Sequence, residues 1–242
     1  MNLALDEKKT TQGIMIEFAD HGEEYEAEIG KFMRMFLQEG DTFIDCGAHV
    51  GFFTVLGAEL GTKVYAFEPE KTNFKSLKQN IHINGYENTY LFNKAVGDEN
   101  REIDLYVCLD NDGGNAFWDI SKHPFNKKTK LNKKMQKTEM VTLDSVINDP
   151  VKLIKIDVEG CEFKVLKGAY NLLLKYHPAV ILEINDTALE EMGSSRIEVI
   201  RFMNDLNYNC YDLLTGNLRE CNTEVNTAFV FNVVFIPKEL NG

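Results

Sequence analysis

The sequence predicts an α/β fold: a mostly parallel seven-stranded sheet flanked by helices, with an antiparallel hairpin at one edge. Three observations carry this expectation. Buried-looking runs at 42–46 and 151–157 each end in an acid and pass through glycine into an apolar helix. Strand and helix patterns alternate from 42 to 93, as in parallel strands joined by right-handed crossovers. Two strand-like runs, 208–213 and 227–235, flank Gly216-Asn217, a turn signal suited to an antiparallel edge.

Taken in order, Ile14, Ile16 and Phe18 alternate, so 12–18 reads as a short strand. A helix is expected from Asp20 or His21 to about Gln38. Tyr25, Ile29, Phe32, Met33, Phe36 and Leu37 follow helical spacing, and Glu23, Glu24 and Glu26 enrich its first turns. Residues 1–40 are therefore expected to form an N-terminal extension with a helix, ahead of a domain at 41–242. Strand 42–46 leads through Gly47 and Gly51 to a helix at 52–60, and strand 63–67 follows. Pro69 suits the first turn of the next helix, which points Phe74, Leu77 and Ile81 inward. Strand 90–93 completes a βαβαβ unit.

The middle of the chain changes character. Ile103, Leu105 and Val107 alternate as a strand, and Gly113-Gly114-Asn115 reads as a turn. The lysine-rich segment 122–137 reads as an exposed excursion. Residues 139–143 return as a strand. After the strand at 151–157 comes one helix carrying Val165, Leu166, Leu172 and Leu173. Pro178 opens a strand at 179–184, and 194–206 is helical.

Composition narrows the function. The 242 residues suffice for a normal α/β core, and 44% hydrophobic and 26% charged residues are ordinary for a globular protein. A net charge of −12 argues against general nucleic-acid binding. Five scattered cysteines without a C-x-x-C pair argue against a disulfide framework or zinc site, so a cytoplasmic setting is expected. No signal peptide and no membrane-spanning run are recognised.

The chemistry gathers at strand ends. The turn Gly47-Ala48-His49-Val50-Gly51 lacks the middle glycine of the dinucleotide fingerprint, which disfavours a pyrophosphate and a nicotinamide-dependent oxidoreductase. Asp45 beside it suits a ligand bearing positive charge. Glu68, at the end of the next strand, stands where an acid grips a ribose diol. A cationic ligand with a ribose describes S-adenosylmethionine. Asp157, Glu159 and Glu162 form a second acidic group, from which Asp157 first and Glu159 second are candidate bases. The oxygen atoms of Asp157, Glu183 and Asn185 would suit a hard cation, although no metal site is expected. Gly113-Gly114-Asn115 with Phe117 and Trp118 is read as a substrate-pocket segment. The lysines of 127–137 are read as a solvated loop.

These runs resemble the FkbM family of class I S-adenosylmethionine-dependent methyltransferases. The resemblance rests on Phe43-Ile-Asp45-Cys-Gly47-Ala48-His-Val-Gly51, Val64-Tyr-Ala66-Phe67-Glu68-Pro69 and Leu77 to Asn80. It continues through Asn93-Lys-Ala95-Val96-Gly97, Thr142-Leu143-Asp144, Ile154-Lys155-Ile156-Asp157-Val158-Glu159-Gly160-Cys-Glu162 and Pro178 to Glu183. It covers about 40–235. The family pattern usually has Asn where His49 stands. The resemblance implies a Rossmann-like methyltransferase fold with S-adenosylmethionine as cofactor. It implies that Gly47, Ala48, His49 and Gly51 surround the methionine part and that Asp45 lies near its amino group. Phe67 and Glu68 would meet the ribose, and Ala95 and Val96 the adenine. Asp157 would flank both cofactor and acceptor. The expected reaction is O-methylation of a sugar or natural product. The alternatives are N-methylation of an amide or amine, on a peptide or small molecule, and a non-catalytic binding module of the same fold.

Overall fold

The computed structural model describes residues 1–215, 218–219 and 230–240. The chain opens with α1 (Thr10–Asp20) and α2 (Ala27–Phe36). A regular alternation follows: β1 (Thr42–Cys46), α3 (Phe52–Glu59), β2 (Lys63–Phe67), α4 (Lys71–Asn84) and β3 (Thr89–Phe92). Then come β4 (Ala95–Val96), β5 (Arg101–Val107), α5 (Lys127–Leu131), β6 (Lys134–Val141) and α6 (Leu143–Val146). The second half runs β7 (Leu153–Ile156), α7 (Glu162–Gly168), α8 (Tyr170–Tyr176), β8 (Ala179–Asn185), α9 (Asp186–Glu191), α10 (Arg196–Asp205) and β9 (Tyr208–Asp212). It closes with β10 (Leu218–Arg219) and β11 (Val230–Pro237).

The main sheet has the order β10-β9-β11-β8-β7-β1-β2-β3. From β8 to β3 all pairs are parallel. β11 runs antiparallel between β8 and β9. The seven expected strands are all present, and the two-residue β10 adds an eighth at the edge. The turn at Gly216-Asn217 and the expected start of the last strand at 227 lie outside the described residues.

Every residue of β1 and β7 is buried, as strands covered on both faces require. Alternation divides their side chains between two cores. Ile44, Ile154, Ile156 and Leu182 pack with Leu166, Leu172, Val199 and Met203 of the helices on one face. Phe43, Val64, Leu153 and Ile181 pack with Ile29, Met33, Phe53 and Leu56 on the other. The sheet's rigidity fixes where the strand ends fall, and those ends carry the site.

Four expectations need correction. Residues 12–18 belong to helix α1, not a strand. Ile14 and Phe18 are exposed, and the buried positions are Gln12 and Met15, three residues apart as on a helix face. The long helix expected at 20–38 is shorter. Gly22, at φ 73°, follows the end of α1, and α2 begins only after Glu26, leaving Tyr25 and Glu26 in the connection. The excursion at 122–137 is partly structured, because β6 starts at Lys134 and pairs with β5. Lys137 lies 3.1 Å from Glu102 and 3.4 Å from Asp104, so charge across the strands replaces apolar alternation. The helix after β7 is two short helices, α7 and α8. β4, β6 and β5 form a separate three-stranded sheet.

Candidate functional site

The site is built where β1, β2, β7 and β8 end. Gly47 leaves β1 at φ 83°, and a Cβ there would lie 1.8 Å from the carbonyl oxygen of Asp157. Only glycine allows this approach between the loops after β1 and β7. Four of the turn's five backbone donors are already engaged. The N–H groups of Gly47 and Ala48 both donate to the Phe67 carbonyl at 3.0 Å, and Gly51 N–H donates to Ala48 at 2.8 Å. His49 N–H donates to Glu68 Oε2 at 2.9 Å. A turn so satisfied offers no nest for a phosphate, in keeping with its missing middle glycine.

A cavity of about 240 Å³ opens over these strand ends. Gly47, Ala48, His49, Phe67 and Glu68 line it, with Ala95 and Val96 of the small sheet. The residues expected to contact a cofactor thus share one cavity, apart from Asp45 and Gly51. Asp45 stands behind the wall, where its Oδ2 accepts a 2.6 Å hydrogen bond from Thr54 and its buried Oδ1 has no partner. Burial raises its pKa, opposed by Lys155. Gly51 caps α3 and faces Leu77, which a Cβ would meet at 2.5 Å.

Glu68 is buried, and each of its oxygens accepts a backbone N–H, from His49 and, at 2.8 Å, from Glu70. Burial nevertheless pushes its pKa up to about 8. Each carboxylate oxygen still has a second lone pair for a ligand hydroxyl. Across the turn, His49 Nε2 lies 2.9 Å from Asp112 Oδ2. Asp112 also accepts from Gln12 Nε2 at 2.9 Å and from Thr11 N–H at 2.8 Å. Burial works against its charge, but the hydrogen bonds from His49 and Gln12 prevail and bring its pKa to about 2. This knot ties the glycine turn, the 108–115 loop and α1 together.

The opposite wall is acidic. Asp157, Glu159 and Glu183 line the cavity at the ends of β7 and β8, and Glu26 joins them from the N-terminal connection. One cation stands among them. Lys155 is buried and donates to Asp157 Oδ2 at 2.9 Å, with its ammonium 5.0 Å from the Phe53 ring. Burial opposes its charge, but Asp157, Asp45 and Glu26 outweigh that and hold its pKa above the ordinary value. Burial lifts Glu159 to about 8 and Glu26 to about 7, and Glu183 is raised by burial and by its acidic neighbours. Glu162, expected in this group, faces elsewhere. Its Oε1 accepts from Val158 and Gly160 N–H, both at 3.1 Å, so it braces the loop. Gly160, at φ 107°, packs where a Cβ would meet the Ala188 carbonyl at 2.5 Å.

Among the described residues five non-glycine residues have positive φ, and Glu26, His49 and Glu159 of these line this cavity. Each such residue costs on the order of 1–2 kcal/mol and survives only where its surroundings enforce it. Strain is concentrated at the cavity.

Matching against protein families assigns residues 45–210 to the Methyltransferase FkbM domain. The chain belongs to that family. Its members are S-adenosylmethionine-dependent methyltransferases of class I, as the motifs implied. A curated relative, Methyltransferase 1 of Beauveria bassiana, is 27% identical over 145 residues, covering 53% of this chain and 58% of its own. The crystal structure of Methyltransferase FkbM from Methylobacillus flagellatus shares the fold at TM-score 0.52 and 15% identity. That match covers 82% of this chain and 44% of the other. This chain therefore spans about half the length of these two relatives. The fold also recurs in a Clostridium thermocellum protein provisionally named an rRNA-methylase, at TM-score 0.50 and 13% identity, covering 87% of this chain and 93% of that one.

Sequence reasoning missed Asp112, Lys155, Tyr25 and Glu26 as site residues. Asp112 lies in a loop without periodicity. Lys155 sits inside an apolar strand, and a lysine flanked by two isoleucines was itself the available signal. Among the described residues, no group of three His, Cys, Asp or Glu side chains is placed to hold a metal ion. No described helix is long and apolar enough to cross a membrane.

Proposed function

We propose that this domain binds S-adenosylmethionine and directs its methyl group to a hydroxyl of a sugar or natural-product acceptor. The observation that carries the reading is one cavity holding the buried Glu68 carboxylate at one end and Asp157, Glu159, Glu183 and Glu26 at the other, where acids outnumber the lining lysines Lys155, which is held by Asp157, and Lys94, which is paired with Glu139. That donor set fits the group. A carboxylate with spare lone pairs suits a diol, Phe67, Ala95 and Val96 suit a base, and a surplus of negative charge suits a cation. When bound, S-adenosylmethionine supplies a methyl group activated by positive sulfur.

The chain's own residues then position and deprotonate the acceptor. Asp157 is held by Lys155 and serves to orient. Glu159 has no side-chain partner among the described residues, and its raised pKa suits a group that takes a hydroxyl proton near neutral pH. An amine acceptor would also suit these acids and is the competing reading. Residues 1–40 contribute Thr11, Met15, Tyr25 and Glu26 to the wall, which supports their working with the 41–242 domain. Among the described residues Cys46, Cys108 and Cys161 are free thiols, which supports a cytoplasmic setting, and the charge of −12 opposes a nucleic-acid partner.

The test is calorimetric titration with S-adenosylhomocysteine, followed by methyl transfer from labelled S-adenosylmethionine to hydroxyl and amine acceptors. Measurable heat and a raised unfolding temperature are expected. Neither heat nor thermal protection would overturn the reading.

A further inference from the structure

Glu159 and Glu183 border a second space. A cavity of about 290 Å³ shares Asn111, Glu159 and Glu183 with the first and is otherwise walled by residues the reading above leaves unused. Among them are Trp118, His123, Asn126, Asn185 and Thr187. Trp118 is fixed to the shared wall, because its Nε1–H donates to the Glu159 carbonyl at 3.1 Å. Its ring meets that of His123 with centroids 6.5 Å apart.

The polar groups here are complementary. Asn126 uses its Nδ2 on the Ile120 carbonyl at 3.0 Å, leaving its Oδ1 as an acceptor. Asn185 uses its Oδ1 on Ala188 N–H at 3.2 Å, leaving its Nδ2 as a donor. The side chains of Glu159 and Glu183 have no hydrogen-bond partner among the described residues, and burial first, then the neighbouring Asp157, disfavours their charge. They await donors. No lysine or arginine is among the described residues lining this cavity, so a phosphate or carboxylate entering it would find no full positive charge there to offset its own desolvation. A lone ammonium would suit the acids but would leave the amides and the threonine unmatched.

We propose that the second cavity is the acceptor subsite. It takes a neutral, hydroxyl-rich small molecule against Trp118 and presents one of its hydroxyls to Glu183 and Glu159 in the shared wall. This rests on the methyl-transfer reading and deepens it, since it names the acceptor class and its route of entry. It makes Glu183 an acceptor-contacting residue.

Trp118 is the only tryptophan in the chain, so its fluorescence reports on this cavity without turnover. The experiment titrates the whole protein, with S-adenosylhomocysteine present, with neutral methyl glycosides, the matching uronates and sugar phosphates, and a short RNA. Neutral glycosides are expected to change the Trp118 emission saturably, with the anionic probes inert. Glu183→Gln should weaken the response about tenfold or more. It should also unfold at pH 8 no earlier than the parent, since it removes a buried carboxylate. Thr187→Leu, which narrows the cavity without altering charge, should weaken it as well. No response to any neutral glycoside, or a response to the anionic probes alone, would overturn the proposal. Calorimetry on the same samples separates the two claims. Heat from S-adenosylhomocysteine with silent Trp118 sinks the subsite only, whereas absent heat sinks the methyl-transfer reading itself.

Discussion

The two ends of the first cavity use carboxylates in opposite ways. At the glycine-turn end the two acids Glu68 and Asp112 are answered by the protein. Glu68 takes two backbone N–H groups, and Asp112 takes His49, Gln12 and Thr11. At the β7–β8 end, Glu159 and Glu183 are left without partners among the described residues, and only Asp157 has a cation at hydrogen-bond distance. Satisfied acids hold shape, while unanswered buried acids hold chemical potential for a ligand. The first end is therefore the rigid half of the site and the second its reactive half.

The largest expected effect strikes the rigid half. Gly47→Ala forces a Cβ to 1.8 Å from the Asp157 carbonyl at a positive φ, so it should destabilise by about 3 kcal/mol or more and abolish S-adenosylhomocysteine binding. Urea unfolding and calorimetry would read both, and a stable, binding-competent variant would break the contrast. Asp112→Ala comes next. It removes the acceptor shared by His49, Gln12 and Thr11 and should cost about 2–3 kcal/mol. Asp112 has its pKa depressed from 3.8 to about 2, so its stabilisation is present above pH 3.8 and disappears as pH falls through about 2. The variant should therefore lose that acid-range dependence.

Glu159→Gln sharpens the comparison from the other side. It should abolish most turnover yet leave S-adenosylhomocysteine affinity within about tenfold. Its folded pKa of about 8 lies above the ordinary 4.5, so the folded state holds more protons than the unfolded state between those values. Stability from this group is complete below 4.5 and declines as pH rises through about 8. The variant should be more stable than the parent at pH 8 and indistinguishable from it at pH 4. A thermal-melt series across pH checks the sign. The smallest effect is expected from His49→Asn. It keeps a residue that tolerates positive φ but shortens the reach to Asp112, so affinity should fall a few-fold, within about 1 kcal/mol.

The rigid half was also the legible half. β1, its glycine turn and Glu68 are contiguous patterns in which local backbone need and residue type agree. Ala95 and Val96 reached the cavity as expected, although through a second sheet that the alternation at 103–107 only hinted at. The rest depends on long-range pairing. Asp112 matters because Gln12, a hundred residues away, returns to it. Lys137 concealed a strand because its partners are Glu102 and Asp104 rather than a core. Tyr25 and Glu26 seemed to belong to a helix until Gly22 ended the preceding one. Glu162 seemed equal to Glu159, but chain direction after β7 turns it onto its own loop.

One topological detail bears on how the protein is made. β11 fills the slot between β8 and β9, although it is the last of the described strands in sequence order. During synthesis, β8 exists for some forty-five residues of elongation with one edge unclaimed. Its apolar residues Val180 to Leu182 are then a template for any passing strand. The sheet can be completed only once β11 has cleared the ribosomal tunnel. Folding of the reactive half, Glu183 included, thus waits on a strand made some forty-five residues later, and that nascent edge is where chaperone engagement should concentrate.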